Sequence, residues 1–239
     1  WYTKAAEQGH TESQKELAEC YEKGWGVSKD DSKALKWYIK AAGDLNPELQ
    51  CRVGYMYAEG VGTPIDYAKA VIWWRKAAIL NNVDAQYCLG WAYQHGKGIE
   101  QNYKLAADNY LKAAEQNVKE AQYELACLYE QGLGVNMNVL EALKWYEKAA
   151  EQGLAEAQFN LALLYDSGEY VAQDYMKAVE WYRKAAAQGL IPAQYALGRC
   201  YYMGYGVTKN KQTAAEWWKK SAAGGHGQAK EALEKTGLN

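Results

Sequence analysis

The sequence predicts an all-α fold, an α-α superhelix (solenoid) of 36-residue helix–turn–helix repeats, on three observations. The aromatic pair Trp37-Tyr38 returns as Trp1-Tyr2, Trp73-Trp74, Trp145-Tyr146, Trp181-Tyr182 and Trp217-Trp218, with Asn109-Tyr110 as a substituted copy, always in steps of 36 residues. Gly24, Gly60, Gly96, Gly132, Gly168 and Gly204 keep the same step. Two residues on, so do Gly26, Gly62, Gly98, Gly134 and Gly206, with Tyr170 as the exception. A glutamine (Gln14, Gln50, Gln86, Gln122, Gln158, Gln194) and a tyrosine (Tyr21, Tyr57, Tyr93, Tyr129, Tyr165, Tyr201) hold two further registers. Self-similarity at a fixed period decides the architecture before any local pattern is read.

Each unit reads as two helices. Helix A of the first unit runs from about Glu12 to Lys23 and carries Leu17, Ala18, Cys20 and Tyr21 as an apolar stripe. It ends at Gly24, a residue free to adopt the left-handed conformation that stops a helix. Helix B starts behind Asp30, in a slot that is Asp30, Asp66, Asn102, Asn138, Asp174 and Asn210 in the six copies. Each can cap exposed helical N–H groups. Ala34, Trp37, Tyr38, Ala41 and Ala42 form the buried face of helix B, and its Trp is assigned to the core. Helix B ends near Gly9, Asn81, Asn117, Gly153, Gly189 and Gly225; in the first full copy Gly43, Leu45 and Pro47 end it early. The small slot Ala18, Gly54, Gly90, Ala126, Ala162, Gly198 lets helix A press on helix B. One helix pair cannot bury this face, so neighbours must stack. The expected organisation is a single solenoid domain over residues 1–239. It comprises a half repeat (1–9), full repeats 10–45, 46–81, 82–117, 118–153, 154–189 and 190–225, and a capping helix in 226–239 that keeps Leu233 but gains charge.

Lys plus Arg number 27 and Asp plus Glu 29, a net charge of −2 that gives no electrostatic reason to expect nucleic acid or an anionic membrane. Glu12, Glu48, Asp84, Glu120 and Glu156 near the helix-A starts would repel a phosphate backbone. No run of about 18 uncharged apolar residues is present, so no direct membrane insertion is expected. No signal peptide is visible; opening at Trp1, inside an expected helix, the chain reads as a fragment. The three His and five Ser form no nucleophile constellation and no Ser-x-x-Lys, and the Gly-x-Gly turns follow a helix, not the strand a phosphate-binding loop needs. The five Cys show no Cys-x-x-Cys and no disulfide rhythm. Cys20 and Cys200 fall in a buried slot, Cys51, Cys88 and Cys127 in more exposed ones. No catalytic residue, metal site or cofactor is expected.

The phrases AEAQFNLALLYDSG (Ala155 to Gly168), LYEQGLGV (Leu128 to Val135) and KAVEWYRKAAAQG (Lys177 to Gly189) resemble the Sel-1-like repeat family, relatives of the tetratricopeptide repeats, and the resemblance covers nearly the whole chain. It implies a right-handed superhelix and a non-enzymatic adaptor or scaffold role. Members are common in bacteria, often exported or in host interaction, and some eukaryotic members serve membrane-protein degradation complexes.

In repeats of this kind helix A lines the concave face, where a protein or peptide ligand would sit. Helix-A slots that change between copies are not dictated by the scaffold, so they are the candidates for contact. They predict a middle patch of Tyr55, Tyr87, Trp91 and Tyr123, with His95 beside it as a solvated turn residue. A second patch joins Tyr195, Arg199, Tyr202 and Met203. Aromatics and Arg carry most interface energy. The aromatic slot Tyr87, Tyr123, Phe159, Tyr195 recurs, so packing explains it equally well. Self-association through exposed aromatics is a competing use. The alternative function is a regulatory or weakly catalytic enzyme subunit with an unrecognised small-molecule site.

Overall fold

A computed structural model describes residues 2–238. The side chains of Trp1 and Tyr2, which open the expected half repeat, lie outside the described residues. Among the described residues there are fourteen α-helices and no strand. They fall into two compact units, Trp1–Gln116 and Asn117–Asn239. The first holds α1 (Tyr2–Glu7), α2 (Thr11–Lys23), α3 (Asp31–Ala42), α4 (Pro47–Glu59), α5 (Tyr67–Ile79), α6 (Val83–His95) and α7 (Tyr103–Glu115). The second holds α8 (Lys119–Gln131), α9 (Val139–Glu151), α10 (Ala155–Ser167), α11 (Tyr175–Ala187), α12 (Ile191–Met203), α13 (Lys211–Ala223) and α14 (Gly227–Thr236).

The punctuation marks act as their chemistry requires. Gly24 (φ 74°) ends α2 and Gly204 (φ 84°) ends α12 in the left-handed region. Asp30, Asp66, Asn102, Asn138, Asp174 and Asn210 each accept a hydrogen bond from a backbone N–H two or three residues on. Each also donates its own N–H to the carbonyl of the recurrent tyrosine, as in Asp30 to Tyr21 at 2.8 Å. That bond fixes the length of every turn. Gly62, Gly98 and Gly206 answer to the neighbouring repeat: a Cβ there would lie 2.2, 2.2 and 2.1 Å from backbone of Asp31, Tyr67 and Tyr175.

The core differs from expectation in one respect. The fully buried ring is the second of the aromatic pair: Tyr38, Trp74, Tyr110, Tyr146, Tyr182 and Trp218. Of the first members only Trp145 is buried; Trp37, Trp73, Trp181 and Trp217 are half-buried at the edge of the helix-B face. There each indole takes the ammonium of the lysine one turn later, at 4.2 Å for Lys40 on Trp37 and 3.7 Å for Lys184 on Trp181. The small helix-A slot meets the buried ring directly. A Cβ on Gly54 would sit 2.5 Å from Trp74, and one on Gly198 2.4 Å from Trp218.

The recurrent glutamine is a buried polar stitch. Gln14, Gln50 and Gln158 donate to carbonyls near the end of the preceding helix B (Ala6, Gly43, Ala150) at 2.9–3.0 Å. Gln188 donates in turn to Gln158 Oε1 at 2.9 Å, and Gln116 to Gln86 at 2.8 Å. A buried amide left without such partners would cost about 1–3 kcal/mol, which keeps the residue fixed from copy to copy.

Candidate functional site

In the first unit α4, α5 and α6 bound a cleft of about 270 Å³ lined by Tyr55, Ala58, Glu59, Tyr67, Trp74, Tyr87, Cys88 and Trp91. Trp74 forms its floor, buried because the residue facing it across α4 is Gly54. Tyr55 stands edge-on to Trp74 with centroids 5.9 Å apart, and Trp91 lies 5.8 Å from Tyr67. Cys88 donates its thiol hydrogen to the Tyr55 hydroxyl at 3.0 Å. Burial pushes the Cys88 thiol up to about 12, outweighing the Tyr55 bond, and Asp84 adds to the rise. Burial also drives the Tyr55 hydroxyl well above its ordinary range, with Cys88 adding to it. Both groups are therefore neutral near pH 7, and Cys88 is a poor nucleophile. Glu59, at the exposed mouth, makes no ion pair among the described residues.

His95 is exposed in the last turn of α6, its ring 5.0 Å from that of Trp91. Its Nδ1 lies 2.9 Å from the Trp91 carbonyl oxygen, which can only accept, so the hydrogen is on Nδ1.

In the second unit a cavity of about 220 Å³ is lined by Phe159, Leu163, Tyr182, Pro192, Tyr195, Ala196, Arg199, His226 and Gln228. Arg199 pairs with Asp166, and the Tyr182 hydroxyl donates to the same carboxylate at 3.1 Å. Burial lowers and Asp166 raises the Arg199 pKa, with a net rise, so the guanidinium stays charged. His226 stacks on Tyr195 with centroids 4.6 Å apart. The Nε of Arg199 and Nδ1 of His226 are buried with no hydrogen-bond partner among the described residues.

The expected middle patch is thus divided. Tyr55, Tyr87 and Trp91 meet in one cleft with His95 at its edge, whereas Tyr123 belongs to the second unit, 5.9 Å from Tyr146. Of the second patch, Tyr195 and Arg199 share the cavity. Tyr202 instead packs against Trp218, with centroids 5.3 Å apart and the rings tilted by 39°, and Met203 is an exposed residue outside the cavity lining. Cys51 and Cys88 are not on open slots: both are buried, 4 % and 5 % exposed, in the apolar seam with Trp74 and Leu89. Cys127 is half-buried against the Tyr146 hydroxyl at 3.2 Å, and Cys20 is half-buried too. Tyr55 and Trp74 of the preceding helix pair cover Cys88, a surface that a single pair's helical wheel does not show.

Five positions are common to both openings: Tyr55 and Leu163, Trp74 and Tyr182, Tyr87 and Tyr195, Cys88 and Ala196, Trp91 and Arg199, each pair 108 residues apart. They are one place in the repeat, seen in two copies. The signal missed in the sequence is the slot Glu16, Arg52, Cys88, Glu124, Asn160, Ala196. In two copies its side chain reaches the neighbouring buried ring: Arg52 lies over Tyr38 and Asn160 donates to the Tyr146 hydroxyl. Where it shrinks to Cys88 or Ala196, a cleft opens. Tyr67, His226 and Gln228 were missed because they lie outside the helix-A slots compared.

Among the described residues no group of three or more His, Cys, Asp or Glu could hold a metal ion. No helix described is long and apolar enough to cross a membrane.

The Sel1 repeat model matches residues 1–10, 11–43, 47–82, 83–118, 119–154, 155–190 and 191–226. The chain is similar to a protective antigen present in uropathogenic Escherichia coli strains, described as displaying an SLR fold. That likeness has 34% identity and a TM-score of 0.59, and covers 98% of this chain and 58% of the antigen. The chain thus spans less than two thirds of the antigen's length. It is similar to a Sel1 repeat protein from Oxalobacter formigenes at 33% identity and a TM-score of 0.76, over 90% of this chain and 86% of the other. An immunity protein from Pseudomonas aeruginosa, at 21% identity and a TM-score of 0.50 over 87% and 81%, shares the fold alone. No curated protein sequence matches the chain.

Proposed function

The chain belongs to the Sel1 repeat family, whose members generally act through protein–protein contacts, and on that premise we propose that it is a non-enzymatic scaffold. It takes side chains of a protein or peptide ligand into the openings along its concave helix-A face. One observation carries the reading. Two openings occupy the same place in the repeat, and helix-A residues that the scaffold does not dictate supply much of their lining. Anchoring residues of a partner insert into concave, partly apolar openings with a few polar groups. The likeness to a protective antigen supports extending the reading to an exported or host-interaction role.

The test is a selection of displayed random peptides on the intact chain, followed by affinity measurement against Trp91→Ser and Arg199→Ser variants that keep a normal helical circular dichroism spectrum. Selected peptides are expected to lose about 30-fold in affinity with at least one variant, the size of a truncated interface anchor. Enrichment of no peptide, or binding indifferent to both substitutions, would sink the proposal.

A further inference from the structure

We propose that the cleft at Trp91 receives a guanidinium, the arginine side chain of a protein partner. This deepens the interaction reading above and rests on it. The chain itself shows what that place in the repeat accepts. One repeat earlier, the slot of Cys88 is Arg52, whose Cζ lies 4.6 Å from the centroid of Tyr38, the counterpart of Trp74, while the guanidinium pairs with Glu22. In the second unit the slot of Trp91 is Arg199, paired with an Asp166 that also holds the Tyr182 hydroxyl. So in two copies an arginine of the chain sits beside the buried ring with a carboxylate on it. In the copy between Tyr55 and Trp91 the slot residue is a short neutral thiol, and among the described residues no cation lines the cleft.

The walls suit the same guest. Tyr55, Tyr67, Tyr87 and Trp91 surround the opening, and Glu59, without an ion pair among the described residues, supplies a carboxylate at the mouth. A cation over such rings is attracted to their negative faces, and a planar guanidinium both stacks on them and donates in pairs to a carboxylate. The outer wall already attracts one cation: Lys97 Nζ stands 5.8 Å from the centroid of Tyr67. A partner carboxylate would face Glu59 and no basic group in the lining.

The experiment titrates the intact chain with three blocked tripeptides, acetyl-Ala-Xaa-Ala-amide with arginine, its neutral isostere citrulline, or leucine. It follows the indole N–H resonances of Trp74 and Trp91, assigned with Trp91→Phe. The arginine peptide is expected to shift them saturably, with the citrulline and leucine peptides at least 10-fold weaker. Glu59→Gln is expected to weaken the arginine peptide about 3- to 10-fold. The double variant Ala58→Glu, Cys88→Arg copies the Glu22–Arg52 pair into the cleft and is expected to abolish the response. Should that variant not fold, Glu59→Gln and the citrulline arm still decide. Citrulline or leucine binding as tightly as arginine would overturn the assignment while leaving the interaction reading intact, since the cleft would then be a neutral peptide site. An arginine peptide that leaves both indole resonances unmoved would overturn it too, and peptide selection would then judge the interaction reading separately.

Discussion

The cleft at Trp91 and the cavity at Arg199 are the same place in the repeat three copies apart, and they differ in how their polar groups are settled. In the second unit Arg199 and the Tyr182 hydroxyl both hold the Asp166 carboxylate, so the guanidinium is engaged before any ligand arrives. In the first unit the matching slots hold Trp91, Ala58 and Trp74, and Glu59 is left at the mouth. The scaffold beneath them is copied: the buried ring, the small helix-A residue against it and the asparagine or aspartate cap recur. A repeat protein can therefore change the chemistry of one opening while keeping the buried ring and the small helix-A residue beneath it.

On that contrast, removing the two charges has unequal consequences. Arg199→Met leaves Asp166, whose side chain is 9% exposed, without its cation. Breaking a buried pair from one side costs about 3–5 kcal/mol; Arg199 is itself partly exposed, so screening brings the expected loss to about 2 kcal/mol. Asp166→Leu in the same chain should recover most of it, by removing the stranded carboxylate. Glu59→Gln should change unfolding free energy by less than about 0.5 kcal/mol, as for an ordinary surface substitution. Urea denaturation of the three variants reads the contrast. Equal losses for Arg199→Met and Glu59→Gln would erase the distinction between a structural pair and an open mouth.

The architecture was legible from residues whose roles are local. Glycines at left-handed positions, capping Asp and Asn and the spacing of buried alanines each act within a few residues of themselves, so their period transmits directly into helices of the expected bounds. The candidate site was legible only in part. Comparison of the helix-A slots singles out Tyr55, Tyr87 and Trp91, which line one cleft, together with Tyr123, which lies in the other compact unit; a one-dimensional alignment of slots does not say which copies share an opening. The slot of Cys88 reads as one of the more exposed, whereas Tyr55 and Trp74 of the preceding helix pair bury it. The first Trp of each pair reads as core from its helical spacing, yet Trp37, Trp73, Trp181 and Trp217 lie half-buried at the edge of the helix-B face.

A smaller effect tests whether the scaffold under the two openings is in fact the same. Alanine is the better helix former by about 1 kcal/mol. At Gly54, however, its Cβ would lie 2.5 Å from the Trp74 ring, and at Gly198 2.4 Å from Trp218. Overpacking of this kind costs about 1–3 kcal/mol, so Gly54→Ala and Gly198→Ala are each expected to destabilise by about 1 kcal/mol net. Pairing Gly54→Ala with Trp74→Tyr recreates the native Ala18–Tyr38 combination and should restore stability. A large penalty at one glycine and none at the other would show that the buried layer is not copied.

The smallest effect is expected from acid, and it separates the first unit's two neighbouring copies. The Glu22 carboxyl is held below its ordinary 4.5: burial pushes it up, but the hydrogen bond and charge of Arg52, joined by the Tyr38 hydroxyl, draw it further down. A carboxyl depressed in the folded state contributes stability that is present above the unfolded value and is lost as the pH falls through the folded one. The window therefore lies below pH 4.5, and its slope cannot exceed about 1.4 kcal/mol per pH unit for one proton. Arg52 is 42% exposed, so the pair is screened and the total at neutral pH should stay under about 1 kcal/mol. Arg52→Met is expected to flatten the acid limb of a stability profile recorded between pH 2 and 7. Ala58→Glu with Cys88→Arg, which installs a second such pair, should steepen it over the same range. An acid limb unchanged by Arg52→Met would mean that the Glu22 pair contributes nothing in solution, and the template on which the reading of the Trp91 cleft is built would lose its energetic basis.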